Sequence, residues 1–126
     1  MPKQAREITL QEIQIEAQPD SPLKSVEPNM LEVRLFFDNG GFSHYDHQER
    51  ARGWYVSVTA IRKEMKNGYA SRTSLMFDSG YKCLLEEAKA FSSRKMMNYE
   101  YQSKALRESE FLVERLCSDK GLIRKT

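Results

Sequence analysis

The sequence predicts an α+β domain, an antiparallel meander of three to five strands packed on a helix and followed by a C-terminal helical extension. Three observations point to it. Met30–Asp38 and Trp54–Arg62 alternate side chains with the period of two that sets one strand face on a core. Asn67-Gly68 separates two such runs, and this dipeptide suits the two positive-φ positions of a type I′ hairpin. From Tyr81, and again from Met96, the apolar spacing changes to three and four, the mark of an amphipathic helix.

In chain order, Glu7–Ala17 carries Ile8, Leu10, Ile13 and Ile15 with period-two spacing on either side of Gln11-Glu12, which predicts a strand with a bulge or two short strands. Gln18–Asn29 holds Pro19, Pro22 and Pro28, whose fixed φ and missing N–H exclude regular structure there. The predicted division is therefore an N-terminal strand and proline-containing linker over 1–29, attached to a single α+β domain over 30–126. In Met30–Asp38, Leu31, Val33, Leu35 and Phe37 share one face, and Glu32, Arg34 and Phe36 share the other. Asn39-Gly40-Gly41 is a turn, followed by a short returning strand or a loop within 42–52. Trp54, Val56, Val58 and Ala60 then face the core, and Tyr69–Phe77 is the partner strand of the hairpin. Asp78 or Ser79 is placed to cap a helix whose stripe is Tyr81, Leu84, Leu85, Ala88 and Phe91. A second helical pattern runs from Met96 to about Lys120, with a kink or a continuous run at Ser92-Ser93 and Gly121 as its stop.

With 126 residues, 40% of them apolar and 30% charged, the chain suits one soluble domain with a highly charged surface. The net charge of +2 makes no case for a polyanion partner of the whole molecule. Its distribution is uneven: residues 1–29 hold three basic and five acidic side chains, and residues 81–126 hold ten and seven. Cys83 and Cys117, the two cysteines, are expected to be reduced thiols. No apolar run reaches the ~18 residues of a membrane span and the N-terminus lacks an apolar signal core, so no membrane association and a cytoplasmic location are expected.

Catalytic signatures are absent. His44, Asp46 and His47 form a cluster of metal-ligand types, but three ligands in an irregular stretch match no known zinc spacing, so neither metal nor cofactor is expected. No serine or cysteine stands in a recognisable nucleophile setting, and Gly40-Gly41 lacks the lysine and helix of a phosphate loop. What remains is a basic and aromatic set on the central hairpin. Arg52, Arg62, Lys63, Lys66 and Arg72 are expected to contact phosphates, with Tyr55 and Tyr69 stacking on unpaired bases. That combination predicts a non-enzymatic module for single-stranded DNA or RNA.

The run Arg52-Gly53-Trp54-Tyr55-Val56-Ser57-Val58, together with Ser79-Gly80-Tyr81-Lys82-Cys83-Leu84-Leu85-Glu86-Glu87, resembles the sheet-plus-helix unit of Pur-alpha-type and positive-cofactor-type single-stranded DNA-binding proteins. It is also similar to small uncharacterised proteins of bacterial plasmids, phages and conjugative elements. The likeness covers about half the chain, from Met30 to Lys95. It implies a concave sheet face that binds single strands and a helix that covers the other face or mediates a dimer. A mobile-element origin equally implies an inhibitor of a host defence enzyme, a protein-interaction module joined as a homodimer through Phe111, Leu112, Val113 and Leu116.

Overall fold

Strands β2 (Met30–Asp38) and β5 (Gly53–Lys66) form the centre of the molecule, antiparallel from Met30 opposite Ile61 to Asp38 opposite Gly53. The computed structural model describes residues 7–42, 47–74, 80–88 and 91–125, with the side chains of 72–74 and 93 outside that set. The two alternating patterns combine as expected. Leu31, Val33 and Leu35 of β2 and Val56, Val58 and Ala60 of β5 are fully buried on one face. Removing their apolar surface from water is the main drive for the pairing, at about 25 cal/mol per Å2.

Strand β1 (Glu7–Ala17) pairs with β2 and carries the predicted bulge, a register shift between Thr9 and Gln11. It is not an appended element. Ile13, Ile15 and Ala17 belong to the same core, and β1 lies between β2 and β8 (Leu122–Arg124). The proline segment separating them is the connection that returns the chain for antiparallel pairing. It holds a 3₁₀ turn at Lys24–Val26, a left-handed Glu27 (φ 49°) and a buried Pro28.

The outer edge of β5 is covered twice. Strand β6 (Tyr69–Ser74) pairs with Ile61–Lys66 through the Asn67-Gly68 turn, whose φ values of 51° and 81° fit the predicted hairpin. Strand β7 (Gly80–Leu84) pairs with Tyr55–Thr59. Here the structure differs from the predicted helix over Tyr81–Phe91: a strand and a 3₁₀ turn at Glu86–Ala88 replace it. Tyr81, Leu84, Leu85 and Ala88 fit helical spacing, but the free edge of β5 offers a ladder that a lone helix cannot match. Leu85 completes it, its N–H donating to Trp54 O at 2.8 Å. Gly80 is required by this approach, since a Cβ there would stand 2.5 Å from Val58 O. The capping positions Asp78 and Ser79 lie outside the described residues. A small second sheet pairs β3 (Gly41–Phe42) with β4 (Glu49–Arg50).

One turn of helix, α1 (Ser93–Met96), precedes α2 (Tyr99–Lys120). The predicted Met96–Lys120 helix is thus broken at 97–98, where the Asn98 side chain caps α2 by accepting the Glu100 N–H. Gly121 ends it as expected, left-handed at φ 63° with its N–H bonded to Cys117 O. Tyr101, Ala105, Leu112, Val113 and Leu116 bury the inner stripe of α2 on the sheet. Tyr99 stands in solvent, while Val113 is fully buried. No helix among the described residues is long and apolar enough to cross a membrane.

Candidate binding surfaces on the sheet and its hairpin arm

Residues directly opposite one another across antiparallel strands share a face. The pairings therefore assign the face turned away from α2: Glu7, Thr9 and Glu12 from β1, Glu32, Arg34 and Phe36 from β2, Tyr55, Ser57 and Thr59 from β5, and Lys82 from β7. This face is mixed in charge. Arg34 bridges Glu7 at 2.9 Å and Glu32 at 3.4 Å, and Lys63 reaches Glu12 at 2.8 Å. Glu32 is only 5% exposed, so Arg34 serves to neutralise a buried carboxylate.

Tyr55 lies on this face without being available to a ligand. It is 7% exposed, its ring stacks on Phe36 at 5.6 Å and 17°, and its hydroxyl donates to Ala51 O at 2.7 Å. The Lys82 ammonium sits 5.5 Å from the Tyr55 ring and 6.0 Å from Phe36. A cation at such distances is attracted by the negative ring faces. Lys82 stands outside the predicted binding set because helical spacing assigns it to a helix; the alternation of Tyr81 and Cys83 with Lys82 is the signal of a strand.

The other predicted contacts fall into two groups. Arg52 precedes β5 and packs its guanidinium 5.4 Å from the Phe37 ring, about 33 Å along the strand from Arg62 at 3.3 Å per residue. Arg62, Lys63, Lys66 and Tyr69 occupy the opposite end. Beyond Ile61, β5 keeps β6 as its one paired strand among the described residues, so the sheet narrows to a two-stranded arm. Each described cation of the arm meets a carboxylate. Arg62 pairs with Glu64 and, at 3.4 Å, with Glu27. Lys63 pairs with Glu12, and Lys66 lies 4.0 Å from Glu64. Such exposed pairs contribute at most about 1 kcal/mol each, yet they cancel the positive field that a polyanion would feel. Arg72 is opposite Lys63 in the ladder, and its side chain lies outside the described ones.

Two large apolar side chains of the arm have no such counterpart. Met65 is 72% exposed and Tyr69 is 78% exposed. They lie on opposite faces of the ribbon, Met65 beside Lys63's side and Tyr69 across from Lys66.

Other sites offer little chemistry. A cleft of about 230 Å3 beside the start of α2 is lined by Glu87, Phe91, Lys95, Asn98, Tyr101 and Lys104. Phe91 meets Tyr101 edge-on at 5.2 Å, and the Lys95 ammonium covers Phe91 at 3.9 Å. Burial, then Glu87 and Glu108, push the Tyr101 phenol up to about 12, so it exchanges no proton near neutrality. Burial likewise raises the thiols of Cys83 and Cys117, which keeps both in the poorly nucleophilic protonated form. Among the described residues no group of three His, Cys, Asp or Glu side chains is placed to hold a metal ion, and His44 and Asp46 lie outside them. Of the group expected to join two copies, Leu112, Val113 and Leu116 are buried within the chain, and Phe111, 69% exposed, stands apart.

No protein-family model, curated protein or solved structure matches the chain.

Proposed function

We propose that this chain is a non-enzymatic protein-interaction module that engages its partner through the β5–β6 arm. One observation carries the reading: the arm's described cations already face Glu12, Glu27 and Glu64, while Met65 and Tyr69 are left in solvent on its two faces. Methionine and tyrosine are enriched at protein interfaces, where an apolar body is buried and a polar tip finds a partner. A ribbon with one large exposed side chain on each face suits insertion between two surfaces of a partner better than laying one face flat. Inhibition of an enzyme by filling a cleft is one activity that such an arm would support.

A photo-crosslinking residue at position 69, compared with one at the exposed Glu86, tests the reading in cells that make the protein. The expected result is one protein crosslinked at 69 and absent at 86, which binds the purified chain at least tenfold more weakly after Met65→Asp with Tyr69→Asp. Equal crosslinking at both positions would sink it.

A second reading, binding of single-stranded nucleic acid, draws on Lys66 standing opposite Tyr69 at the tip. A cation beside an exposed ring combines phosphate neutralisation with base stacking. Anisotropy titration of a labelled oligonucleotide at low salt separates the two. Salt-dependent binding lost on Lys66→Ala with Tyr69→Ala would favour nucleic acid, and no binding would leave the protein partner.

A further inference from the structure

We propose that Asn29 is a positioning residue that locks the β5–β6 arm in line with the rest of the sheet. The β2 ladder ends at Met30 opposite Ile61, and a two-stranded ribbon beyond that point is marginally stable by itself. Asn29 extends the ladder by one position with its side chain. Its Nδ2 donates to Lys63 O at 2.8 Å and its Oδ1 accepts the Lys63 N–H at 2.8 Å, the pair of bonds a strand neighbour would make. Its backbone is held as well: the Asn29 N–H donates to Ile61 O at 3.1 Å, and Asn29 O accepts the Ile15 N–H at 3.2 Å. Side chain and backbone of Asn29 together thus tie β5 to β1 at the start of β2, where the sheet narrows.

Two carboxylates brace the same root from the two faces. Glu12 of β1 holds Lys63 on the face away from α2, and Glu27 of the proline segment holds Arg62 on the other. Salt weakens these pairs but leaves the neutral amide bonds in place. A root fixed in this way carries Met65 about 13 Å past Ile61 as a rigid extension, at 3.3 Å per residue. Rigidity is what a binding arm needs, because the ordering of a mobile segment subtracts from affinity.

The purpose of the lock rests on the arm reading, but its test uses the free protein, so either idea can fail alone. Amide hydrogen exchange of Asn29→Ala is the measurement. The amides of Lys63–Lys66 and Tyr69–Arg72 are expected to exchange about five- to tenfold faster, while those of Val33, Val58 and α2 stay unchanged. Asn29→Asp keeps the acceptor for the Lys63 N–H and loses the donor, so a smaller increase confined to the same amides is expected. Unchanged arm exchange in Asn29→Ala would overturn the proposal, as would an equal acceleration across arm and core. If Asn29→Ala does not fold, the same criteria apply to Asn29→Asp.

Discussion

The two ends of β5 share one strand and one alternating pattern, yet they live in different surroundings. From Trp54 to Ile61 the strand has β2 on one side and β7 or β6 on the other, with α2 over its inner face. From Arg62 to Lys66 its one paired strand among the described residues is β6, with the Asn29 side chain at the other edge, and Met65 is exposed where Val58, in the same kind of strand, is fully buried. Periodicity decides which residues share a face. Neighbours contributed by distant parts of the chain decide whether that face is core or surface.

Substitutions chosen along this contrast should give a graded series. The largest loss is expected at the core end, where Leu116→Ala removes a fully buried side chain and should cost about 2–5 kcal/mol, read from the denaturant midpoint. Gly80→Ala should follow at about 1–3 kcal/mol, because its Cβ would meet Val58 O and force β7 away from β5. Faster amide exchange confined to Gly80–Leu84 would show the site of the damage. Asn98→Ala should cost about 1 kcal/mol through loss of the α2 cap. A further effect is confined to alkaline pH. The Tyr101 phenol is raised from 10.0 to about 12 in the folded chain, so its contribution is fully present below pH 10 and is lost as pH rises towards 12. Tyr101→Phe should remove that part of the alkaline decline in a pH series of melting curves. At the arm, Met65→Ser and Tyr69→Ser should change stability by less than about 0.5 kcal/mol. A loss comparable to Leu116→Ala there would mean that the arm is packed in solution, and the contrast between the two ends would disappear.

How much of this was legible follows from the same distinction. Leu31, Val33, Leu35, Val56 and Val58 announce their common face by period two, and Asn67-Gly68 and Gly121 announce a turn and a helix end by backbone preference. These are local signals. The stretch from Tyr81 to Ala88 satisfies both periods, and what decides it is the unpaired edge of β5, more than twenty residues earlier in the chain. Strand β8 has three residues, too few to show any period. For the candidate site, the basic residues were readable but their counter-ions were not. Glu12 lies 51 positions from Lys63, and nothing in the sequence joins them. Tyr55 was readable as an aromatic of the hairpin, yet its stacking on Phe36 depends on the β2–β5 register.

The pairing of β8 with β1 has a consequence for how the chain is made. Ile15–Ala17 stay without their outer neighbour until Leu122–Arg124 exist, and the bonds from Gln18 N–H to Gly121 O and from Ser21 Oγ to Lys120 O join the same distant segments. During synthesis β1 leaves the ribosome well before β8 and waits for it, and closing contacts of such high sequence separation are slow to form. Until α2 and β8 have both left the ribosome, Ile13 and Ile15 lack their cover, so a nascent chain stalled before Leu122 is exposed to aggregation and to proteolysis.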